Sequence, residues 1–117
     1  MKLHLVMPLF AAELRNLLPA SDLPVLADQV DELELVGRCR CGEYFCSSFY
    51  VNGGSSPLDD QEQALRGRYS HNSLYLGAPS GLVVVDTDHL DRIVFVEVQN
   101  RPDVEEELAS AIKRDSH

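Results

Sequence analysis

The chain is short of positive charge. It carries 10 lysines and arginines against 19 aspartates and glutamates, which gives a formal net charge of −9 at pH 7. Basic patches supply most of the affinity that proteins have for DNA, RNA and anionic membranes. The composition therefore argues against a nucleic-acid or membrane ligand, and it favours association with a basic partner protein.

Long apolar runs are missing as well. No stretch approaches the ~20 apolar residues of a transmembrane helix, and His4 and Pro8 interrupt the apolar start that a signal peptide would need. The three cysteines are an odd number, so they cannot form a complete disulfide framework. Together these absences predict a cytoplasmic protein.

The common motifs of catalysis and phosphate binding are also absent. The sequence contains no GxGxxG, P-loop, HExxH or GxSxG pattern. Asn52-Gly53-Gly54 predicts a turn rather than a phosphate-binding loop, because no helix carrying the P-loop lysine and hydroxyl residue follows it. Since no convergent catalytic set is present, the sequence favours a non-enzymatic protein.

Apolar periodicity indicates helices at the start of the chain. At 117 residues, the chain has the length of one domain, 1–117. Phe10 and Leu14 share one face of a helix that Pro8 opens. A second, shorter helix follows, with an apolar face that runs from Leu23 to Val30.

Strand-like alternation begins at Leu33, and Pro102 later opens a helix with an apolar stripe from Val104 to Ile112. The pattern predicts an α+β domain with two N-terminal helices, a four-stranded antiparallel β-meander and a C-terminal helix packed on the sheet. Residues 82–85 are apolar on both faces, which predicts either a central strand or a second face covered by helices or a partner subunit. A homodimer is therefore compatible with the pattern.

A long loop is predicted at 52–72, where strand patterning stops. A loop of that length in a compact domain is usually functional, mobile or partly structured. It contains Arg66, Arg68, Tyr69 and His71, which form a candidate site for an anion or a carboxylate-rich partner. The competing interpretation is an ordinary polar loop.

All three cysteines lie in the segment RCRCGEYFC, between Arg38 and Cys46. If Gly42-Glu43 forms a two-residue hairpin turn, Cys39 faces Cys46 across the strands and Cys41 lies on the same face. The two arginines of the segment then project from the opposite face.

Three interpretations of this segment compete. The first is a zinc site of Cys39, Cys41 and Cys46, completed by His71 or His89. Because Cα atoms two apart on a strand are about 6.6 Å from each other, such a site requires the strand to bend. The second is a nucleophilic thiol, which the arginines activate only if they face it. The third is ordinary packing of small, semi-apolar side chains beneath helices.

Carboxylates cluster in DTDHLDRIVFVE, residues 86–97. The segment matches a calcium loop at its first, third and twelfth positions, but Leu90 and Asp91 occupy positions that require a ligand and a glycine. We therefore expect a hairpin turn lined with acids. Asp86, Asp88 and Asp91 remain an alternative centre for metal-assisted hydrolysis.

The favoured hypothesis is a small, acidic, non-enzymatic protein-interaction domain, for example an inhibitor or immunity-type protein that neutralises a basic partner. It requires no cofactor. One alternative is a zinc-binding module centred on Cys39, Cys41 and Cys46. Another is a small enzyme that uses a thiol or the acids of the Asp86–Asp91 turn.

Overall fold

The computed structural model describes residues 1–52, 72–88 and 91–115. It confirms the α+β class, with N-terminal helices, an antiparallel sheet and a C-terminal helix. The sheet has five strands rather than four. In chain order the elements are α1 (Leu3–Val6), α2 (Pro8–Leu17), a 3₁₀ turn (Leu18–Ala20), a 3₁₀ helix (Pro24–Glu32), β1 (Glu34–Arg38), β2 (Phe49–Asn52), β3 (Asn72–Leu76), β4 (Leu82–Thr87), β5 (Ile93–Gln99) and α3 (Pro102–Asp115).

The strands lie in the order β1-β2-β5-β4-β3, and each neighbouring pair is antiparallel. This connectivity differs from a simple meander, because β2 pairs with β5 instead of β3. The sheet consists of a β1–β2 hairpin joined edge to edge with a β3–β4–β5 meander. Alternation in the sequence identifies extended segments, but it does not specify which of them become neighbours.

Both end residues of the predicted long loop 52–72 lie in strands, since Asn52 ends β2 and Asn72 begins β3. The intervening residues 53–71 lie outside the described ranges. These include the four candidate binding residues of the loop, Arg66, Arg68, Tyr69 and His71. Their role in binding an anion or a carboxylate-rich partner stays a prediction.

The N-terminal helices cover one face of the sheet. Pro8 opens α2 as expected, and Phe10 and Leu14 are buried. The Phe10 ring meets the Phe49 ring of β2 edge to face, with centroids 5.8 Å apart. The predicted second helix forms in the tighter 3₁₀ conformation and buries Leu26 and Val30. No helix in the described ranges is long and apolar enough to cross a membrane.

The C-terminal helix α3 completes this layer. Val104, Leu108 and Ala111 of the predicted stripe are buried in the same core as the N-terminal helices. The carboxylate of Glu107 accepts hydrogen bonds from the backbone N–H groups of Leu9 and Phe10, each at 2.9 Å. Glu107 therefore caps the first turn of α2, where N–H groups have no partner within the helix.

The opposite face of the sheet carries a pair of carboxyl groups. Asp86 is 3% exposed and lies across from Ser73, whose hydroxyl donates to it. Glu97 of β5 forms a hydrogen bond with Asp86. Burial, reinforced by the hydrogen bond and the charge of Asp86, raises the pKa of Glu97 to about 7. Glu97 is therefore protonated in the folded protein under mildly acidic conditions.

Stability should consequently fall as the pH rises from about 4.5 to about 7, because the folded state binds a proton at Glu97 that the unfolded chain has already released. Replacing Glu97 by glutamine removes this contribution. Urea unfolding of the E97Q variant across this pH range should show a flatter profile than the wild type. The control is Glu32→Gln at an exposed position, which should leave the pH dependence of the free energy of unfolding as it is in the wild type. If E97Q showed the same pH dependence as the wild type, the expectation would be contradicted.

A buried arginine ties the helices together. Arg101 is 4% exposed, and its Nη1 and Nη2 donate to the two carboxylate oxygens of Glu13 in α2 at 2.7 and 2.6 Å. Its Nε and Nη2 donate to Asp103 at 3.0 and 2.9 Å, which holds the pKa of Asp103 below its usual value. Arg101 thereby fixes the start of α3 against α2.

Candidate metal centre

The structure brings the three cysteines together. The Sγ atoms of Cys39, Cys41 and Cys46 all lie within 4.8 Å of one another. Cys46 is buried, Cys39 is half-buried and Cys41 is exposed. Among the residues that the structure describes, no other group of three metal-ligating side chains is so close.

The cysteines meet by a different path from the predicted hairpin. β1 ends at Arg38 and β2 begins at Phe49, so residues 39–48, the cysteine loop, replace the expected two-residue turn. Across an irregularity between Leu35 and Gly37 the register shifts by one residue, and Arg38 then pairs with Phe49. Cys39 consequently lies opposite Ser48, to whose carbonyl its N–H donates, and not opposite Cys46. The predicted pairing of Cys39 with Cys46 is therefore wrong.

Backbone hydrogen bonds hold the cysteine loop at both ends. The Cys39 N–H donates to Ser48 O at 2.8 Å, and the Ser47 N–H donates to Val98 O of β5 at 2.8 Å. Within the loop, the Cys46 N–H donates to Glu43 O at 3.1 Å. Gly42 adopts a φ of 77°, a left-handed conformation that glycine reaches without steric cost. The chain therefore turns back after Cys41 and returns towards Cys46.

Arg38 secures the loop instead of activating a thiol. Its Nη2 donates to Cys46 O at 3.1 Å and to Glu105 Oε1 of α3 at 2.8 Å. The Ser47 hydroxyl also lies 3.4 Å from Glu105 Oε2. The guanidinium charge is thus engaged by a carboxylate of α3. A sequence reading could not identify Glu105 as a support of this loop, because 58 residues separate it from Ser47 and 67 from Arg38.

Cys39 and Cys41 differ in how readily their thiols ionise. Burial raises the pKa of Cys39 to about 11. The pKa of Cys41 is lowered, chiefly because the backbone N–H of Glu43 donates to its sulfur and further because of a hydrogen bond with the Cys46 side chain. Thiolates, not thiols, are nucleophiles and metal ligands. Cys41 is therefore better prepared than Cys39 to act as either.

A cavity of about 350 Å³ opens beside the sulfurs. Glu43 lines it and offers a carboxylate near the thiols, while the predicted further ligands His71 and His89 lie outside the described residues. The full lining comprises Arg38, Cys39, Arg40, Cys41, Gly42, Glu43 and Cys46.

The acids of the Asp86–Asp91 turn have separate partners. Asp86 is buried against Ser73 on the sheet. The Asp88 carboxylate accepts hydrogen bonds from the backbone N–H and the Nε of Arg92 at 2.9 and 2.8 Å. Asp91 is exposed and has a φ of 58°. The structure therefore places these carboxylates in a sheet contact, a turn-stabilising ion pair and a solvent-exposed turn position.

No protein-family model, curated protein or solved structure matches the chain. The cysteine cluster therefore has to be interpreted from its own geometry.

Proposed function

We propose that the protein binds a thiophilic metal ion, Zn²⁺ above all, through Cys39, Cys41 and Cys46. The observation that carries the proposal is the mutual approach of the three Sγ atoms to within 4.8 Å. Tetrahedral zinc with Zn–S bonds of about 2.3 Å requires sulfurs about 3.7 Å apart. The cysteine loop therefore has to close by about 1 Å on binding, and its glycine turn at Gly42 permits that adjustment.

The exposure of Cys41 favours metal binding over simple packing. Free cysteines that serve as small apolar side chains are among the most buried residues in proteins. Cys41 is exposed, yet its sulfur stays with those of Cys39 and Cys46. A packing role accounts for the buried Cys46, but it gives no reason for the third sulfur to lie in the cluster.

Three cysteines leave one position of a tetrahedral ion free. Glu43 lies in the same cavity, so its carboxylate or a water molecule completes the coordination. Three thiolates carry more negative charge than one divalent ion neutralises, and Arg40, which lines the cavity, offsets part of the excess. The site suits a zinc ion held by a surface loop.

The test is a zinc titration of the reduced protein, followed by elemental analysis after removal of free metal. We expect one bound zinc per chain, and cobalt in its place should give the near-ultraviolet charge-transfer band of thiolate ligation. Replacing Cys41 by serine should weaken zinc affinity by at least about 100-fold, since loss of an outer-shell contact alone costs 10–100-fold. Because Cys41 is exposed, this variant should keep its fold.

Tyr44→Ser is the matched control, because Tyr44 is 94% exposed in the same loop and offers no sulfur. It should bind zinc like the wild type. A reduced wild-type protein that takes up no zinc would contradict the proposal. If Cys41 in that zinc-free protein also reacted with iodoacetamide far faster than glutathione does, thiol chemistry would become the better explanation.

A further inference from the structure

A second surface feature lies between the N-terminal helices and α3, away from the cysteine loop. It is a groove of about 430 Å³, with Val6, Pro8 and Leu9 on one wall and Asp103, Glu106 and Glu107 on the other. We name it the acidic groove. One wall is apolar, and the other carries these three carboxylates together with Ser110.

The apolar wall exposes a side chain that the core does not use. Leu9 is 77% exposed, whereas its neighbours Phe10 and Leu14 in α2 are buried. Leu5 in α1 is 66% exposed as well. Single exposed leucines are ordinary, but Leu9 stands at the edge of a concave site, where an apolar partner side chain can bury it.

The acidic wall keeps a negative charge despite its internal contacts. Arg101 binds both Asp103 and Glu13, so one positive charge faces two carboxylates. Glu107 is engaged with backbone N–H groups and meets no cation in the described residues. Glu106 is exposed, and the structure gives it no ion pair within those residues. The basic Lys113 lies on the same face of α3, but it is seven positions beyond Glu106.

We propose that the acidic groove binds a basic segment of a partner protein, in which an aliphatic or aromatic side chain stands beside a lysine or arginine. The apolar side chain packs on Leu9, and the cation pairs with Glu106. The alkyl stem of the lysine or arginine covers the apolar wall while its charged end reaches the carboxylates. The net charge of −9 accelerates the encounter with such a partner.

The groove accommodates only one or two side chains, so the contact belongs among small interfaces with modest affinity. The proposal does not depend on the metal centre. It assigns the predicted basic partner to a defined surface, built from α2 and α3.

A library of random short peptides displayed on phage provides the test, with the wild-type protein as bait and EDTA present throughout. Enriched peptides should carry net positive charge and at least one large apolar residue. A synthetic peptide of the consensus sequence should lose at least about tenfold in affinity towards the Glu106→Lys and Leu9→Ser variants, as expected for central contacts of an interface.

Two controls separate the groove from the general charge of the protein. Asp28→Lys makes the same charge change on the exposed 3₁₀ helix, and Val25→Ser removes a comparably exposed aliphatic side chain, 64% exposed in the wild type. Both should bind the peptide like the wild type. Enrichment of neutral or acidic peptides, no enrichment, or equal losses in the control variants would overturn the proposal. Because EDTA is present, none of these outcomes depends on zinc binding.

Discussion

Replacing Arg101 by alanine should lower the free energy of unfolding by about 2–3 kcal/mol, because the buried guanidinium makes charge-assisted hydrogen bonds that the variant loses. The substitution leaves Glu13 without a cation and removes all four hydrogen bonds to carboxylate oxygens. It also removes a buried alkyl stem from the junction of α2 and α3. Urea denaturation at neutral pH measures the effect.

Arg15→Ala is the matched control. The Arg15–Asp31 pair is solvent-exposed, with 41% and 64% of the two side chains accessible. Exposed pairs contribute about 0–1 kcal/mol, so this variant should remain close to the wild type. Arg101→Lys keeps the charge but loses the planar guanidinium that binds two carboxylates. Its free energy of unfolding should lie between those of the wild type and the alanine variant. If Arg101→Ala and Arg15→Ala lost the same free energy of unfolding, burial would not make the Arg101 ion pairs more stabilising than the exposed Arg15–Asp31 pair.

Gly81→Ala should be the second strongly destabilising change, with an expected cost of about 3 kcal/mol. Gly81 has a φ of +64°, where a side chain introduces strain. A Cβ atom there would lie 2.5 Å from Gln99 O and 2.7 Å from Cγ of Arg101. Neither neighbour can withdraw easily, since one is strand backbone and the other is fixed by two carboxylates. Thermal or urea unfolding gives the measurement.

Gly77→Ala provides the comparison, because an added Cβ at Gly77 has no atom within 4 Å and its φ lies outside the left-handed range. That substitution should be neutral or stabilising by up to about 1 kcal/mol, through a smaller loss of chain entropy on folding. If the two glycine variants lost the same free energy of unfolding, crowding around Arg101 would not explain the loss in Gly81→Ala. The double variant Gly81→Ala/Arg101→Ala should lose less free energy of unfolding than the two single variants together, because removing the Arg101 side chain makes room for the added Cβ.

The helices and the fold class followed from local patterns in the sequence. Pro8 and Pro102 mark helix starts, and Val104, Leu108 and Ala111 repeat with helical spacing, so their burial was predictable. Each of these signals depends on residues within a few positions of one another. The structure reproduces them because packing and local preference agree.

The sheet order and the cysteine geometry could not be predicted from local patterns in the sequence. The β2–β5 pairing joins segments more than 40 residues apart, such as Phe49 and Val96, and no local pattern specifies it. The irregularity near Val36 shifts the register by one residue. Together with the ten-residue cysteine loop, which replaces the expected two-residue turn, it places Cys39 opposite Ser48 instead of Cys46. The three thiols were expected on one face of a hairpin, but their approach to within 4.8 Å arises from the ten-residue cysteine loop. The support from Glu105 depends on the docking of α3, which no local pattern specifies.

The Glu107 cap has a consequence for the order in which the protein can form during synthesis. Leu9 and Phe10 receive their hydrogen-bond acceptor from a residue 98 and 97 positions later. At translation rates of 5–20 residues per second, the start of α2 is therefore synthesised about 5–20 s before Glu107. During that interval its first turn has neither the carboxylate nor the α3 surface, and Phe10 and Leu14 have no completed core. The first turn of α2 consequently gains its capping carboxylate only after Glu107 has been synthesised.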